Sequence, residues 1–135
     1  AVVAGINTAD RRQWMRGKIS PPHIEDLRGH FADAGSRMRV AVMHHPLEHA
    51  ALNIDPLMIG ADNLRGQLPD LGVGIVLSGH IHVPLDEVRV RGGKPMRMIG
   101  AGTLSTRLRH GAPPSYRVIT CARGEPITTE LRVIP

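Results

Sequence analysis

The chain has 135 residues, a length that permits one domain with a core of its own. Its single cysteine, Cys121, excludes an intramolecular disulfide, and we expect it to be buried because it lies in an apolar run. No apolar stretch approaches the roughly 20 residues that a membrane-spanning helix needs. The formal net charge is +5, but aromatic residues make up only 2% of the chain and are not interleaved with basic ones, so we expect neither a membrane nor a nucleic acid as partner.

The first 44 residues predict a strand, a loop, a helix and a second strand. Residues 1–6 form an apolar run of the length of a buried strand, and the polar, basic stretch 9–19 is typical of a loop. The segment 20–35 opens on Ser-Pro, repeats apolar residues at helical spacing and ends on glycine, which together predict a helix. Residues 38–44 alternate as a strand does.

The middle of the chain continues the same alternation of helix and strand. Residues 46–58 are irregular and predict a loop, and 61–68 predict a short helix. The apolar run 74–78 is bounded by glycines and predicts a third buried strand.

The last third of the chain has a different character. Two alternating segments, 87–91 and 95–99, flank a Gly-Gly pair and predict a hairpin, and two further strands are predicted near 116–122 and 127–134. We therefore expect an α/β fold over the first two-thirds of the chain, followed by antiparallel β structure.

Two histidines directly follow the third predicted strand. The apolar run stops at Ser78, Gly79 supplies the backbone freedom for a turn, and His80 and His82 come next. Open α/β sheets build their sites at the carboxyl ends of their strands, and imidazole is a good ligand for zinc, manganese and iron. The pair therefore indicates a metal site.

The second predicted strand also ends in histidine. His44 lies on the same side as the apolar residues of that strand, and His45 and the chain-breaking Pro46 follow. If the two strands are parallel neighbours, both histidine blocks lie at one edge of the sheet. We therefore expect His44, His80 and His82 to come together.

The two blocks in combination resemble a known family. His44-His45-Pro46 followed by Gly79-His80-Ile81-His82 is similar to the last two sequence blocks of the calcineurin-like metallophosphoesterases. Residues 2–8 and 100–104 resemble the strands that precede and follow these blocks in bacterial members, so the resemblance spans essentially the whole chain. It implies an α/β/β/α sandwich, in which two sheets pack together and helices flank them.

Three earlier blocks of that family have no counterpart in the sequence. They are an Asp-x-His, a Gly-Asp-x-x-Asp and a Gly-Asn-His-Asp/Glu, and they ordinarily lie N-terminal to the blocks that match. The resemblance therefore implies that residues 1–135 are the C-terminal portion of a metallophosphoesterase domain. The absent N-terminal half would be its partner in cis.

The resemblance also implies a role for each histidine. His44, the first histidine of a His-x-Pro pattern, would bind one metal together with His80, and His82 would bind the other. His45 is the candidate catalytic residue, because alternation along the strand turns it to the opposite side from His44. There it would line the substrate pocket or orient a neighbouring ligand; the alternative is a solvated histidine.

These roles imply a phosphoric ester hydrolase that acts on a small phosphate ester or phosphodiester. Two divalent ions of manganese, iron or zinc would activate hydroxide for in-line attack at phosphorus. We expect the 135 residues alone to be inactive because the bridging carboxylate is absent, and we expect the full-length parent to be a cytoplasmic enzyme.

Two other interpretations stay open. In the first, the chain is a non-catalytic, metal-binding remnant. In the second, it is a mononuclear hydrolase in which His44, His80 and His82 hold one zinc ion with an open position for water.

Overall fold

The computed structural model describes residues 1–12, 16–48, 58–105, 111–122 and 124–135. It has a mixed α/β fold with two short helices, which agrees with the α/β class expected from the sequence. The elements are β1 Val2–Ile6, β2 Gly17–Lys18, α1 Pro21–Phe31, β3 Arg39–Met43, β4 Met58–Ile59, α2 Ala61–Gln67, β5 Val73–Ser78, β6 Leu85–Arg91, β7 Lys94–Gly100, β8 Ser115–Thr120 and β9 Thr128–Val133.

A five-stranded sheet in the order β1-β3-β5-β7-β6 organises the molecule. Neighbours among β1, β3, β5 and β7 pair in parallel, and β6 is antiparallel to β7. The carboxyl ends of four strands therefore lie at one edge of the sheet. Two smaller two-stranded pairings, β2-β4 and β8-β9, complete the strand structure of the described residues.

Helix α1 begins as its sequence predicts. Ser20 is the N-cap in an extended conformation, and Pro21 and Pro22 occupy the first turn, where a backbone N–H would have no helical partner. The helix continues into a short 3-10 helix, Ala32–Ala34, and the chain leaves it through Gly35 at a φ of 56°. A residue without a Cβ adopts this positive φ at little cost.

The two faces of the sheet carry different cores. On one face, α1 and α2 bury apolar side chains such as Leu27, Phe31 and Leu64 against the strands, in the larger of the two clusters. On the other face, a smaller cluster centres on Ile75 and is packed by partly buried residues that include Ile119 of β8. Because the helices cover only one face of the sheet, the apolar residues on the other face depend on the β8-β9 hairpin to cover them.

Strand β7 corrects the expectation for the last third of the chain. The predicted hairpin is confirmed, since β6 and β7 pair in register across Gly92 and Gly93, both with positive φ. However, β7 also pairs in parallel with β5, so this region is not purely antiparallel. Strand β7 lies between two other strands and has apolar residues on both faces. Met96 and Met98 lie in the larger cluster, and Ile99 lies in the smaller one.

Three local predictions need correction or fall partly outside the description. The predicted loop 9–19 contains β2, which pairs with β4. Cys121 is exposed rather than buried, because β8 ends at Thr120 and the cysteine lies beyond the last paired residue. Most of the predicted loop 46–58 lies outside the described residues.

Candidate metal centre

The carboxyl edge of the sheet gathers the polar residues that follow three strands. Thr8 lies just beyond β1, His44 and His45 follow β3, and His80 lies beyond β5. The parallel pairing of β1, β3 and β5 brings these positions together. A backbone hydrogen bond of 3.0 Å, donated by the Gly79 N–H to the His44 carbonyl, joins the two histidine segments directly.

Three imidazoles form a group at this edge. His80 Nδ1 lies 3.0 Å from His44 Nε2, and the ring of His45 is centred 4.9 Å from that of His44 and 4.6 Å from that of His80. One nitrogen from each ring lies within 4.8 Å of the other two. The structure thus brings His44 and His80 together, adds His45 to them, and leaves His82 outside this group.

The spacing of two of the three ligand nitrogens fits coordination of one ion. At a Zn–N distance of about 2.0–2.1 Å, two nitrogens of a tetrahedral site lie roughly 3.3 Å apart. The 3.0 Å between His80 Nδ1 and His44 Nε2 is close to that value. In the metal-free protein one of these nitrogens must carry a proton to make the hydrogen bond, so both can bind a metal only after that proton has moved to the other nitrogen of its ring or to solvent.

His45 is buried and held in one orientation, so the interpretation of a solvated histidine is wrong. Only 7% of the residue is exposed. Its backbone N–H donates to Thr8 Oγ1 at 3.3 Å, and the Thr8 hydroxyl lies 2.9 Å from Nδ1 of the same histidine. The threonine oxygen has two lone pairs, so besides the backbone N–H it can accept a hydrogen bond from Nδ1–H, which leaves Nε2 unprotonated and able to bind a metal.

The surroundings of His45 keep its ring neutral. The pKa of His45 is lowered from 6.5 to about 4, chiefly by burial, with smaller contributions in the same direction from the nearby rings of His80 and His44. A neutral imidazole is the form that binds a metal. The electrostatics of the group therefore favour the state of His45 that coordination needs.

His44 and His45 differ in exposure as strand alternation predicts, yet their rings are neighbours. His44 is exposed and His45 is buried. Strand β3 ends at Met43, one residue earlier than predicted, and the chain bends at both histidines. The bend keeps the two rings in contact although they begin on opposite sides of the strand.

Gly17 and Thr8 are site residues that sequence reasoning missed. A Cβ added at Gly17 would lie 2.4 Å from Nδ1 of His45, so only glycine leaves room for this ring. Thr8 lies at the end of the first strand, which was a usable signal, whereas Gly17 lies in a segment that predicted only a loop. The contact between β2 and His45 depends on tertiary structure and has no local pattern.

The loop after β5 takes an unusual backbone conformation. His80 and His82 have φ values of 71° and 66°, in the left-handed region that non-glycine residues rarely adopt. Gly79 does not have a positive φ, so the prediction that it supplies the turn is wrong. The buried side chain of Ile81 anchors the loop between the two histidines. Such strain of about 1–3 kcal/mol per residue is concentrated at functional sites.

His82 has a separate environment. Its Nδ1 is buried and has no hydrogen-bond partner in the described part of the chain. A buried polar atom of this kind is costly without a ligand, water or ion to satisfy it. The observation leaves the predicted ligand role of His82 compatible with the structure, at a position outside the group of three.

Glu48 lies three residues beyond His45, but its carboxylate is paired with two arginines. Its carboxylate accepts from Arg89 Nε at 2.6 Å and from Arg65 Nη1 at 2.8 Å. Burial raises its pKa, but these hydrogen bonds and charges lower it more, so the net direction is downward. The residue therefore anchors the chain after His45, and the group of three imidazoles contains no carboxylate.

Comparison with known proteins adds no family to this description. Neither protein-family models nor curated proteins give a match to the sequence. Within the described residues, no helix is long and apolar enough to cross a membrane.

Proposed function

We propose that this chain is part of a metal-dependent phosphoric ester hydrolase of the calcineurin-like type, and that His44, His45 and His80 hold a divalent metal ion. The observation that carries the proposal is the convergence of three imidazoles from two neighbouring strand ends, with nitrogens within 4.8 Å of one another. The resemblance of the two histidine blocks to that family supports the choice of phosphate esters as substrates.

The protein residues set the conditions for this chemistry. Three neutral imidazoles leave the full charge of a divalent cation at the site, which attracts an anionic phosphate ester. Thr8 fixes the ring of His45 through Nδ1, so the ligand is oriented before the metal binds. A divalent metal bound there supplies Lewis acidity and an activated water for attack at phosphorus.

A second metal position and its carboxylates are part of the proposal. His82, with its unsatisfied Nδ1, is the proposed ligand of the second ion. The imidazole group contains no carboxylate, and carboxylates commonly bridge paired ions. We propose that they come from a segment outside these 135 residues, which would be the other half of the domain.

The sheet face opposite the helices, which the β8-β9 hairpin covers only in part, supports the same arrangement. Val3 of β1 is 64% exposed although it lies in the main sheet, and the core on its face is small. A second sheet from another segment would cover such a surface. This is the two-sheet sandwich that the resemblance implies.

A second candidate function follows from the composition of the group. Three histidines without a carboxylate are also the ligand set of a mononuclear zinc hydrolase, with an open fourth position. The grouping differs from the one expected for this alternative, because His45 takes the position assigned to His82. Metal stoichiometry separates the two candidates: one zinc per chain with hydrolysis by the 135 residues alone favours the mononuclear site.

The first experiment measures metal binding by the metal-free chain. Co²⁺ absorption and calorimetric titration with Zn²⁺ and Mn²⁺ report coordination and stoichiometry. We expect His44→Ala and His80→Ala each to weaken binding at least about 100-fold, since loss of even a supporting contact costs 10–100-fold. His30→Ala, on the exposed surface of α1, is the matched control and should bind like the wild type. Unchanged affinity in His44→Ala would contradict the site.

A pair of glycine variants tests the site without removing a ligand. Gly17→Ala puts a methyl group into the ring of His45, so we expect metal affinity to fall about tenfold or more because the ligand is displaced. Gly29→Ala, in helix α1 with nothing within 4 Å of the added Cβ, is the control and should leave affinity unchanged. Equal affinity in both variants would show that His45 is not a ligand.

The activity test compares two lengths of protein. We expect the coding sequence upstream of Ala1 to contain the missing acidic blocks, and the longer protein to hydrolyse a chromogenic phosphodiester with Mn²⁺. The 135 residues alone should show no metal-dependent turnover. A stop codon or unrelated sequence upstream, or an inactive longer protein, would contradict the phosphoesterase proposal.

A further inference from the structure

A basic cleft lies beside the imidazole group. It has a volume of about 360 Å³ and is formed by the segment after β1, by β2 and by the start of α1. Its polar lining consists of Asp10, Arg11, Arg12, Lys18, Ser20 and His23. Three cations thus face one carboxylate, and this cleft is separate from the group of histidines that would bind a metal.

The cations of this cleft are uncommitted. Arg11, Arg12 and Lys18 form no ion pair in the described part of the chain, whereas arginines elsewhere, such as Arg65 and Arg97, are paired with carboxylates. Three unpaired cations at one cleft repel one another and favour an anion between them. Other arginines among the described residues, such as Arg91, are also unpaired, so what distinguishes the cleft is that three unpaired cations line one cavity.

The remaining lining residues add a hydrogen-bond donor for an anion, and the one carboxylate among them already accepts a hydrogen bond. Asp10 is engaged locally, since its carboxylate accepts the Arg12 backbone N–H at 2.8 Å. The backbone N–H of Ser20 donates to His23 Nδ1 at 3.1 Å, which leaves the proton of the neutral ring on Nε2 as a further donor. The first turn of α1 contains no acidic residue.

The cleft adjoins the imidazole group through residues that contact both. The backbone N–H of Lys18 donates to the Thr8 carbonyl at 2.9 Å, while the Thr8 hydroxyl holds His45. Gly17, next to Lys18, packs against the ring of His45. The cleft and the imidazole group are therefore neighbours in the fold, connected through Thr8 and the segment Gly17–Lys18.

We propose that this cleft binds a phosphate group, and that the substrate carries this group in addition to the phosphate ester that is hydrolysed. The second part rests on the proposed function. Arginine is well suited to a phosphate, because its planar guanidinium matches two phosphate oxygens at once, and lysine adds a point charge. Since the cations are exposed, binding is expected to be salt-sensitive.

The test uses the 135-residue chain without metal, in EDTA, with inorganic phosphate and pyrophosphate as probes. Amide chemical shifts locate binding, and titration gives the affinity. We expect shifts at residues of the cleft and tighter binding of pyrophosphate than of phosphate. Arg12→Ala and Lys18→Ala should each weaken pyrophosphate about fivefold. Arg91→Ala, which removes the same charge from the exposed end of β6, should change it less than twofold.

The outcomes distinguish this proposal from the proposed function. Equal weakening by Arg91→Ala, or shifts spread over the whole basic surface, would show only general attraction and overturn the site. Absence of binding at tens of millimolar would do the same. The double variant His44→Ala/His80→Ala should bind pyrophosphate like the wild type in EDTA, so loss of the metal site leaves this result intact. Far-ultraviolet circular dichroism checks that the two single variants, from separate segments, are folded.

Discussion

At the level of single residues, the orientation of His45 depends on contacts with four residues. Thr8 holds its Nδ1, Gly17 leaves room for its ring, and the rings of His44 and His80 lie against it. Each contact favours the neutral imidazole or fixes its direction. The ring is therefore oriented for coordination before any metal is present. The same surroundings make the imidazole of His45 difficult to protonate.

This environment predicts a pH-dependent stability. The pKa of His45 is about 4 in the folded chain, lowered chiefly by burial, and 6.5 is the ordinary value in the unfolded chain. Between these values the unfolded chain binds more protons, so the contribution of His45 is complete above pH 6.5 and is lost as the pH falls toward 4. At pH 4.5 we expect a loss of about 2 kcal/mol relative to pH 7.

Urea unfolding of the metal-free chain at pH 7 and pH 4.5 measures this loss. His45→Gln removes the titrating group, so its stability should fall less between the two pH values than that of the wild type, by the same amount of about 2 kcal/mol. His30→Gln, on the exposed surface of α1, is the control and should retain the wild-type dependence. A variant His45→Gln with the full wild-type loss would contradict the burial of a neutral ring.

The sequence predicts which residues belong to the site better than it predicts how those residues are grouped. Strand ends and histidine blocks indicate the carboxyl edge, and His44 and His80 do meet there. The grouping of His45 instead of His82 depends on β3 ending one residue early and on left-handed backbone at His82. Both features arise from tertiary contacts, which a local pattern of residues does not contain.

At the level of elements, a polar cluster attaches the β8-β9 hairpin to the sheet. Asp86 of β6 accepts from Arg97 of β7 at 2.7 Å and from Arg117 of β8 at 2.9 Å, and the hydroxyl of Thr129 in β9 also donates to it. The hydrogen bond from Arg97 is the largest cause of the lowered pKa of Asp86. One carboxylate thus links four strands over a small apolar core.

We predict that Asp86→Ala destabilises the chain by about 2–3 kcal/mol, because it leaves two partly buried guanidinium groups without their acceptor. Amide exchange should accelerate most in β8 and β9, since the hairpin loses its attachment. Asp70→Ala is the control: this side chain is 82% exposed and only contacts Lys94 at 3.4 Å, so little change is expected. Uniform exchange in Asp86→Ala would show that the apolar contacts alone hold the hairpin.

At the level of the whole molecule, pattern and periodicity predict most elements, and pairing is harder to predict. The helix at Ser20, the strand ends at the histidines and the Gly92-Gly93 hairpin all follow from local residue types. The parallel partner of β7 does not, because β6, the hairpin partner of β7, lies between β5 and β7 in the sequence. The exposure of Cys121 was missed for a similar reason, since the register with β9 determines where β8 ends.

The last prediction concerns the incompletely covered sheet face, where Val88 and Val90 of edge strand β6 are 57% and 66% exposed. An apolar edge strand favours association with other chains, so we expect the 135-residue chain to bind a fluorescent apolar dye and to self-associate in analytical ultracentrifugation. Val88→Lys/Val90→Lys should reduce both signals severalfold while the chain stays folded. Lysines at two exposed positions elsewhere, Ala32→Lys/Thr128→Lys, add the same charge and should reduce them much less. A wild-type chain that is monomeric and binds no dye would show that this face needs no covering partner.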